Sequence, residues 1–498
     1  MDMENITQQR GYYTVALCER SFGTEATGDF TLPDYQSDIR RILHVSQNVL
    51  PPSKYVGSDS VEFNGTLDYQ VLYVGGDGGV YSVPLSTEYS FNVPLERGRE
   101  VDVEDVCVLC NVCAESVNTR VSAPRRLSIR SRIRPNVRVY GKVPMVTEMG
   151  VGAAPESVYT RSESIRVLCA QSDTSDVINV SYSAPLPSDD IRVVMADADV
   201  NVTDVRAGES VLNCRGEVSL KLLCVGEESG EFSTLRADIP FEGEVDMEGV
   251  CEQSASRVVG HVAQLSVNVT DAGIECEAGV LLEAVCCTDA QLEYVSDAYS
   301  TQCESQCTQK NIDSRQLLCC QNAQFTLSER IPLKGVSVPQ GAQIIDTTAD
   351  VSIDKCTLED GKYLFGGTAS IGVLYRQGEE IGFADVNIPI RYTAQAENAQ
   401  EPVSFDARAR ARDVRVKLTE DNLCVDAEIS MCADCLGQSS AVAVDKVAFG
   451  ESLPTRESEL IVCYPSAQDC VWSVAKRYGV APSDILGDPT SERYVIIE

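Results

Sequence analysis

The sequence predicts a mainly β protein, in which three tandem antiparallel β-rich repeats are followed by a small βααβ domain. Three observations lead to this prediction: apolar and polar residues alternate along most of the chain, one segment recurs at a constant interval, and clear helical periodicity appears only near the end, since the stretch 32–49 is partly helical at best. Alternation with period two is typical of strands that bury one face. A chain of 498 residues is also too long for one ordinary core, so several domains are expected.

A strand motif headed by glycine recurs three times without gaps, and its glycines are Gly65, Gly216 and Gly367. Neighbouring copies are 151 residues apart in both cases. The residues after each glycine alternate between apolar and polar, as in the segment Leu67 to Tyr73. A glycine inside a strand indicates a bulge or the close approach of another backbone. We therefore expect the three glycines to occupy one equivalent strand in three similar units.

A second alternating pattern recurs further along each unit, beginning at Leu127, Ile274 and Leu423. It is again typical of a half-buried antiparallel strand. Together the two patterns divide the chain into four domains. The predicted domains are 1–150, 151–303 and 304–453 for the three repeats and 454–498 for the C-terminal domain.

Residues 454–498 differ from the rest because a helical pattern interrupts the strands. Asp469 is a good helix N-cap and Gly479 a good C-cap, and the apolar residues between them fall on one helical face. Pro482 can open a second short helix, which Gly487 ends. Short apolar segments on either side of the helices predict strands and complete the order β-α-α-β.

Composition and charge exclude several classes of function. Acidic residues outnumber basic ones by 75 to 41, so the net charge is −34, which disfavours binding to nucleic acid. No run of 18 apolar residues occurs, so no transmembrane helix is expected. The N-terminus also lacks a basic segment followed by an apolar core, so no signal peptide is expected. The 21 cysteines are therefore expected to be thiols in a reducing compartment.

Motifs for catalysis and metal binding are largely missing. Only two histidines occur, His44 and His261, and the glycine-rich segment 75–79 lacks the Gly-Lys-Ser/Thr ending of a phosphate loop, so a hairpin loop is expected there. Cys-x-x-Cys spacings begin at Cys107 and Cys432, but residues three apart in a strand point to opposite faces. We therefore expect no metal, no cofactor and no enzyme activity. A glycosidase that uses two carboxylates is the enzymatic alternative that the composition leaves open.

Two predicted strands carry arginines on one face. One is the arginine series of the first repeat, and the other is the series Arg408, Arg410 and Arg412 of the third repeat. Either series can be a solvated sheet face that neighbouring carboxylates balance, or a dock for an acidic partner or another repeat. The series of the first repeat consists of Arg126, Arg130, Arg132 and Arg134.

The segment from Gln468 to Val480 resembles the helical half of a LysM domain, whose usual sequence is Gly-Asp-Thr-Leu-Trp-Ser-Ile-Ala-Lys-Lys-Tyr-Gly-Val. The segment departs from that pattern at Gln468 and Cys470, and the Pro-Gly turn that usually precedes the last strand is missing. The loops at these places form the glycan-binding groove in typical LysM domains.

Three β-rich repeats followed by one LysM domain resemble the SipL family of clostridial spore coat assembly proteins, which are built from SPOCS domains. The Leu-Pro-Asp sequence at Leu32 and the Val-Leu-Tyr strand at Val71 are similar to the SPOCS pattern. The resemblance implies a non-enzymatic scaffold in the mother-cell cytoplasm, at the forespore surface or in the spore coat. Its LysM domain would recruit the coat morphogenetic ATPase, stage IV sporulation protein A. The alternative is a carbohydrate-binding protein that recognises N-acetylated glycans of peptidoglycan or spore cortex.

The expected partner-binding residues lie near the start of the LysM helix and in the second predicted helix. Protein interfaces usually depend on a few aromatic, aliphatic and arginine anchors. The only tryptophan of the chain is among the candidates and is also expected in the core of the helix. The candidates are Asp469, Trp472, Arg477, Ile485 and Leu486.

Overall fold

The computed structural model describes residues 6–96, 106–150, 154, 157–185, 191–252, 254–270, 273–396, 400–454 and 460–497. Strands make up most of this part of the chain, so the prediction of a mainly β protein is confirmed. The segments 151–153 and 455–459, next to two of the predicted domain boundaries, lie outside the described residues.

The strands follow one another as three successive units and a short C-terminal unit. The first unit contains β1 (Ile6–Ser21), β2 (Thr24–Thr31), β3 (Ile39–Val49), β4 (Ser53–Val56), β5 (Ser60–Gly75), β6 (Val80–Pro94), β7 (Val106–Ala123) and β8 (Arg126–Met149). The second contains β9 (Val158–Ala184), β10 (Ile191–Ala207), β11 (Val211–Gly226), β12 (Phe232–Asp246), β13 (Ala255–Thr270) and β14 (Gly273–Ser300). The third contains β15 (Cys303–Pro332), β16 (Gln343–Glu359), β17 (Lys362–Gln377), β18 (Glu380–Gln395), β19 (Ser404–Leu418) and β20 (Asn422–Ser452). The C-terminal unit contains β21 (Ile461–Cys463), α1 (Val471–Tyr478), β22 (Ile485–Leu486) and β23 (Val495–Ile497).

Each of the three units combines two antiparallel layers. One layer is a three-stranded meander. Its strand order is β3-β5-β6 in the first unit, where β4 also pairs with β5, β10-β11-β12 in the second unit, and β16-β17-β18 in the third. The other layer is built around the last long strand of the unit, which is β8, β14 or β20. This strand pairs with the first strand of its unit (β1, β9 or β15) and with the strand immediately before it in the chain (β7, β13 or β19). Gly65, Gly216 and Gly367 lie in β5, β11 and β17, the central strands of the meanders. Their predicted equivalence is therefore confirmed, as is the hairpin loop between β5 and β6.

The three glycines are explained by close packing. β10 and β16 contain a register shift opposite the glycine of the central strand, and in the first unit β3 and β4 are two separate strands at this point. A Cβ atom at Gly216 would lie 2.6 Å from the ring of Phe241, and one at Gly367 would collide with the carbonyl group of Ser352. Glycine is the residue that avoids both clashes.

The meanders bury one face in their own unit and turn the other towards a common axis. In the second unit, Leu212 of β11 packs with Leu282 of β14 inside the sandwich. Leu72, Leu223 and Leu374 point the other way, and all three belong to one buried cluster. These leucines are again 151 residues apart, so the three meanders surround a pseudo-threefold axis.

Two of the three interfaces around this axis use an arginine stacked on an aromatic ring. Arg192 of the second unit lies 4.7 Å from the ring centre of Tyr81 in the first, and it donates a hydrogen bond to the carbonyl of Val80 at 3.1 Å. Arg376 of the third unit lies 5.2 Å from the ring centre of Phe232 in the second. Such contacts contribute about 0.5–2 kcal/mol each.

The third interface closes the ring between the first and third units. Arg41 donates a hydrogen bond to the carbonyl of Ile381, and the His44 ring stacks on Phe383 with the ring centres 4.1 Å apart. Burial and the nearby Lys221 lower the pKa of His44 to about 4, so the stacked imidazole is neutral near pH 7. The three units thus contact one another in a closed cycle.

The C-terminal unit differs from the predicted βααβ order. Its sheet has the strand order β21-β23-β22, and α1 is the only α-helix among the described residues. The second predicted helix is wrong: Pro482–Asp484 forms one 3-10 turn, and the next two residues pair with β23 as a strand. Fewer than two helical turns fit between Pro482 and Gly487, and strand pairing satisfies the backbone instead.

Of the two capping predictions for α1, the N-cap is wrong and the C-cap is confirmed. The N-cap is Cys470 rather than Asp469, and the Cys470 N–H donates to the Ser473 hydroxyl at 2.9 Å. Gly479 is the C-cap in the left-handed conformation, with φ of 64°, as expected.

No helix of the described residues has both the length and the apolar character needed to cross a membrane.

Candidate functional site

Asp469 holds the loop that leads into α1. Its buried carboxylate accepts hydrogen bonds from the Ser466 N–H at 2.8 Å, from the Ser473 hydroxyl at 3.3 Å and from Arg477. The Ser466 backbone and Arg477 lower the pKa of Asp469 to about 2. The structure therefore brings Asp469 and Arg477 together as an ion pair within the C-terminal unit.

Trp472 fastens the C-terminal unit to the second unit. Its indole N–H donates to the Asp297 carboxylate of β14 at 2.9 Å, and Lys476 pairs with the same carboxylate at 2.5 Å. The indole also packs edge-on against Tyr299, with 5.0 Å between the ring centres. The Tyr299 hydroxyl in turn donates to the carbonyl of Val480 at 2.7 Å. Nothing in the local sequence could reveal Asp297, which lies 175 residues from Trp472.

Ile485 and Leu486, the last two candidates, point to opposite sides of the small sheet. Ile485 is 8% exposed and belongs to the core of the C-terminal unit, so it is not placed to contact a partner. Leu486 is 46% exposed. The opposite orientations follow from strand geometry, because these residues form a strand instead of the second helix predicted from the sequence.

An apolar surface covers the outer side of the same sheet, and we call it the C-terminal face. Strand pairing places Leu486 and Val462 on either side of Ile496, and the rings of Tyr464 and Tyr494 are 6.3 Å apart. Contiguous exposed apolar residues are typical of interaction sites. The alternation from Leu460 to Tyr464 was the signal in the sequence that could have found this face. The exposed members of the C-terminal face are Leu460, Val462, Tyr464, Leu486 and Tyr494.

A second candidate site is a cleft of about 1480 Å³ on the pseudo-threefold axis, which we call the axial cleft. Strands from all three units line it: the meander edges β3, β10 and β16, and the strands β7, β13 and β19. Asp350 of β16 lines this cleft, so its side chain is accessible to solvent although protein lies around it on the cleft walls. Loss of bulk hydration, together with Asp197 and Asp385, raises the pKa of Asp350 to about 6.

Four buried charged residues lie together beside the axial cleft, and two of them, Arg138 and Asp406, line it. Arg138 lies 2.6 Å from Asp434, and Arg257 lies 2.7 Å from Asp406. All four side chains are almost completely buried, and they come from strands of all three units. Burial alone would raise the pKa of Asp406, but Arg257, Arg408 and Arg138 hold it well below its usual value. The four residues thus neutralise one another where the three units meet.

The arginines of β19 dock the third unit onto the second. Arg408 contacts Glu283 at 2.7 Å and the His261 ring at 2.8 Å, and Arg412 contacts Glu217 at 2.6 Å. The arginine between them pairs with a carboxylate of β10. For this series the structure agrees with the alternative of a dock for another repeat.

The arginines of β8 agree with the other alternative. Arg130 pairs with Glu25, and both Arg132 and Arg134 pair with Glu115. The arginine side chains in these pairs are 42% to 63% exposed, so they form a solvated face that carboxylates of the same unit mainly balance. Asp354 of the third unit adds a longer contact with Arg134 at 3.9 Å.

No disulfide joins the cysteines whose side chains the structure describes. Both Cys107 and Cys432 lie in regular strands, β7 and β20. Among the described residues, no group of three or more His, Cys, Asp and Glu side chains is arranged to hold a metal ion.

Comparison with known proteins adds a family to this architecture. Residues 191–270 and 342–419 match a family model described as SipL, SPOCS domain, and these segments cover about a third of the chain. They correspond to β10–β13 of the second unit and β16–β19 of the third. No match was found among curated proteins or among solved structures. The second and third units are therefore similar to the SPOCS domain of the SipL family, which is associated with sporulation.

Proposed function

We propose that this chain is a non-enzymatic scaffold for assembly of the spore envelope or coat, placed at the forespore surface in the mother cell. Its C-terminal unit, which resembles a LysM domain, recruits the coat morphogenetic ATPase, stage IV sporulation protein A. The SPOCS matches support the link to sporulation. The observation that carries the recruiting role is the exposed C-terminal face.

The way the C-terminal unit is held supports this role. The contacts of Trp472 and Lys476 with Asp297, and of Tyr299 with Val480, fix α1 against the second unit. Among the described residues, the apolar outer side of the small sheet stays exposed. A fixed module loses little freedom when a partner binds to it, and this favours affinity.

The ring of three units supports a scaffold rather than an enzyme. Its interfaces are built from stacked rings, buried leucines and ion pairs that serve cohesion between units. Beside the axial cleft, the buried charged groups Arg138, Arg257, Asp406 and Asp434 are paired with one another.

One observation favours the carbohydrate-binding alternative. Tyr464 and Tyr494 are 70% and 50% exposed and lie side by side on the C-terminal face. Aromatic rings in such a position provide flat apolar surfaces on which a sugar ring can pack.

Binding of the purified full chain to the purified ATPase, measured by calorimetry, tests the proposal. Leu486→Asp should weaken binding about tenfold, or ~1.4 kcal/mol, because it places a charge in the apolar contact. Val177→Asp is the matched control, since Val177 is 54% exposed on β9 and should leave the affinity unchanged. Ile485→Asp is unsuitable because it would disrupt the core.

A parallel experiment with purified peptidoglycan separates the two functions. Binding of the unaltered chain to peptidoglycan, with no measurable affinity for the ATPase, would favour the carbohydrate-binding alternative. Equal ATPase affinity for the unaltered chain and for Leu486→Asp would remove the C-terminal face from the proposal.

A further inference from the structure

Three cysteine thiols meet inside the third unit. Cys356 of β16 and Cys435 of β20 face each other across the sandwich, with 3.4 Å between their sulfur atoms. Cys319 of β15 is the register partner of Cys435, and the two thiols also hydrogen bond. Two sulfurs at this separation need to move by only about 1.4 Å to reach the bonded distance of about 2.05 Å.

We propose that Cys356 and Cys435 are a redox modification site, at which a small-molecule disulfide converts the two thiols into a reversible cross-link. The pair joins the two layers of the third unit. Cys356 lies in the edge strand of the meander β16-β17-β18, and Cys435 lies in the long strand β20 of the facing layer. This inference is independent of the recruiting role of the C-terminal face.

Different exposure of the two thiols sets the order of the reaction. Cys356 is partly exposed, whereas Cys435 is fully buried. The Cys356 thiolate attacks the external disulfide and forms a mixed disulfide, and one small thiol leaves. The Cys435 thiolate then attacks the Cys356 sulfur and releases the second small thiol. Two protein thiols thus lose two electrons and two protons, and the external disulfide gains them.

Hydrogen bonds within the cluster affect the rate of the second step. The bonds of Cys435 with Cys319 and Cys356, together with burial, raise the pKa of the Cys435 thiol. Because the thiolate is the attacking species, the cross-link should form faster as the pH rises.

The same positions in the other two units cannot form this cross-link. In the third unit, Cys356 is the register partner of Phe365. The equivalent position is occupied by Val205, the partner of Cys214, in the second unit and by Lys54, the partner of Phe63, in the first. Oxidation would therefore clamp the third unit alone, at a strand that lines the axial cleft.

Mapping of thiols in the full chain tests the proposal. The reduced chain is incubated with oxidised glutathione, the remaining thiols are alkylated, and the non-reduced peptides are identified by mass spectrometry. We expect a peptide that links Cys356 to Cys435, a higher urea midpoint of unfolding, and reversal of both by dithiothreitol.

Two variants sharpen the test. Cys356→Ser should lose both the linked peptide and the shift in midpoint. Cys320→Ser removes a partly buried neighbour of Cys319, and this variant should behave as the unaltered chain. The proposal fails if the unaltered chain keeps both thiols alkylatable while other cysteines oxidise. It also fails if Cys435 links to Cys319 instead of Cys356. Both readouts use the unaltered chain, so they hold even if a variant does not fold.

Discussion

β8 and β19 carry similar series of alternating arginines but use them in different ways. The arginines of β8 remain 42% to 63% exposed in their pairs with Glu25 and Glu115 of the same unit. Arg408 of β19 is only 14% exposed and pairs with Glu283 of the neighbouring unit. The difference arises because the second unit packs against the arginines of β19, whereas the arginine face of β8 from Arg126 to Arg134 stays largely exposed to solvent.

The comparison shows that the surroundings decide what an arginine contributes. An exposed ion pair gains little because water screens it and the side chains lose freedom, and its typical contribution is about 0.2–1 kcal/mol. A buried pair is not necessarily stabilising as a whole, but loss of one partner leaves a charge without compensation and costs about 3–5 kcal/mol. The two strands therefore allow a direct test of this rule within one chain.

The largest effect is expected for Arg408→Met. This change should lower the free energy of unfolding by about 3 kcal/mol, because Glu283 would stay buried without its arginine. Urea unfolding followed by circular dichroism measures the loss. The double variant Arg408→Met with Glu283→Gln should recover part of it. A loss below about 1 kcal/mol would mean that the interface relaxes and hydrates Glu283.

The pH dependence of the same pair should be visible as a second effect. Burial alone would raise the pKa of Glu283, but Arg408 and His261 hold it well below the ordinary value of 4.5. A carboxylate with a lowered folded pKa stabilises the protein above its unfolded pKa, and this contribution is lost as the pH falls further. The difference in stability between the unaltered chain and Glu283→Gln should therefore shrink below about pH 4.5. A difference that stays constant down to pH 3 would contradict the assignment.

An intermediate effect is expected for Arg412→Met. Arg412 and Glu217 are 23% and 37% exposed, so water compensates part of the lost pair. The expected loss in the free energy of unfolding is about 1 kcal/mol. The measurement is again urea unfolding, and a loss equal to that of Arg408→Met would show that exposure does not govern the size of the effect.

The smallest effect is expected for Arg130→Met on β8. Arg130 and Glu25 are 63% and 49% exposed, and the change should alter the free energy of unfolding by less than about 0.5 kcal/mol. The difference should vanish in 1 M salt, where the Debye length is about 3 Å. A loss that persists in high salt would point to packing of the aliphatic part of the arginine rather than to charge.

Much of the fold follows from local patterns in the sequence. The constant spacing of Gly65, Gly216 and Gly367 predicts three equivalent strands, and each glycine stands where a Cβ atom would clash. The clash would be with the ring of Tyr89 at Gly65 and with a backbone carbonyl oxygen at Gly216 and at Gly367. Alternation of apolar and polar residues predicts strands because burial of one face is a property of neighbouring residues. Both signals lie within short segments of the chain.

The closed ring could not be predicted in the same way. Arg41, Arg192 and Arg376 are ordinary surface residues in their own segments, and their partners lie in other units. The site shows the same limit. The local helical pattern predicts that Trp472 is important, but the hydrogen bond from Trp472 to Asp297 depends on how two distant units pack. The helix predicted at Ile485 is wrong because this residue belongs to a strand.

The contact between Arg41 and Ile381 has a consequence for synthesis of the chain, since 340 residues separate them. During synthesis, the first unit emerges from the ribosome long before β18 is made. Until then, Leu72 and the side of β3 that faces the third unit remain exposed, because the third unit that buries them has not been made. A message that ends after the second unit would therefore produce a fragment with an open apolar seam, a natural target for chaperones and proteases.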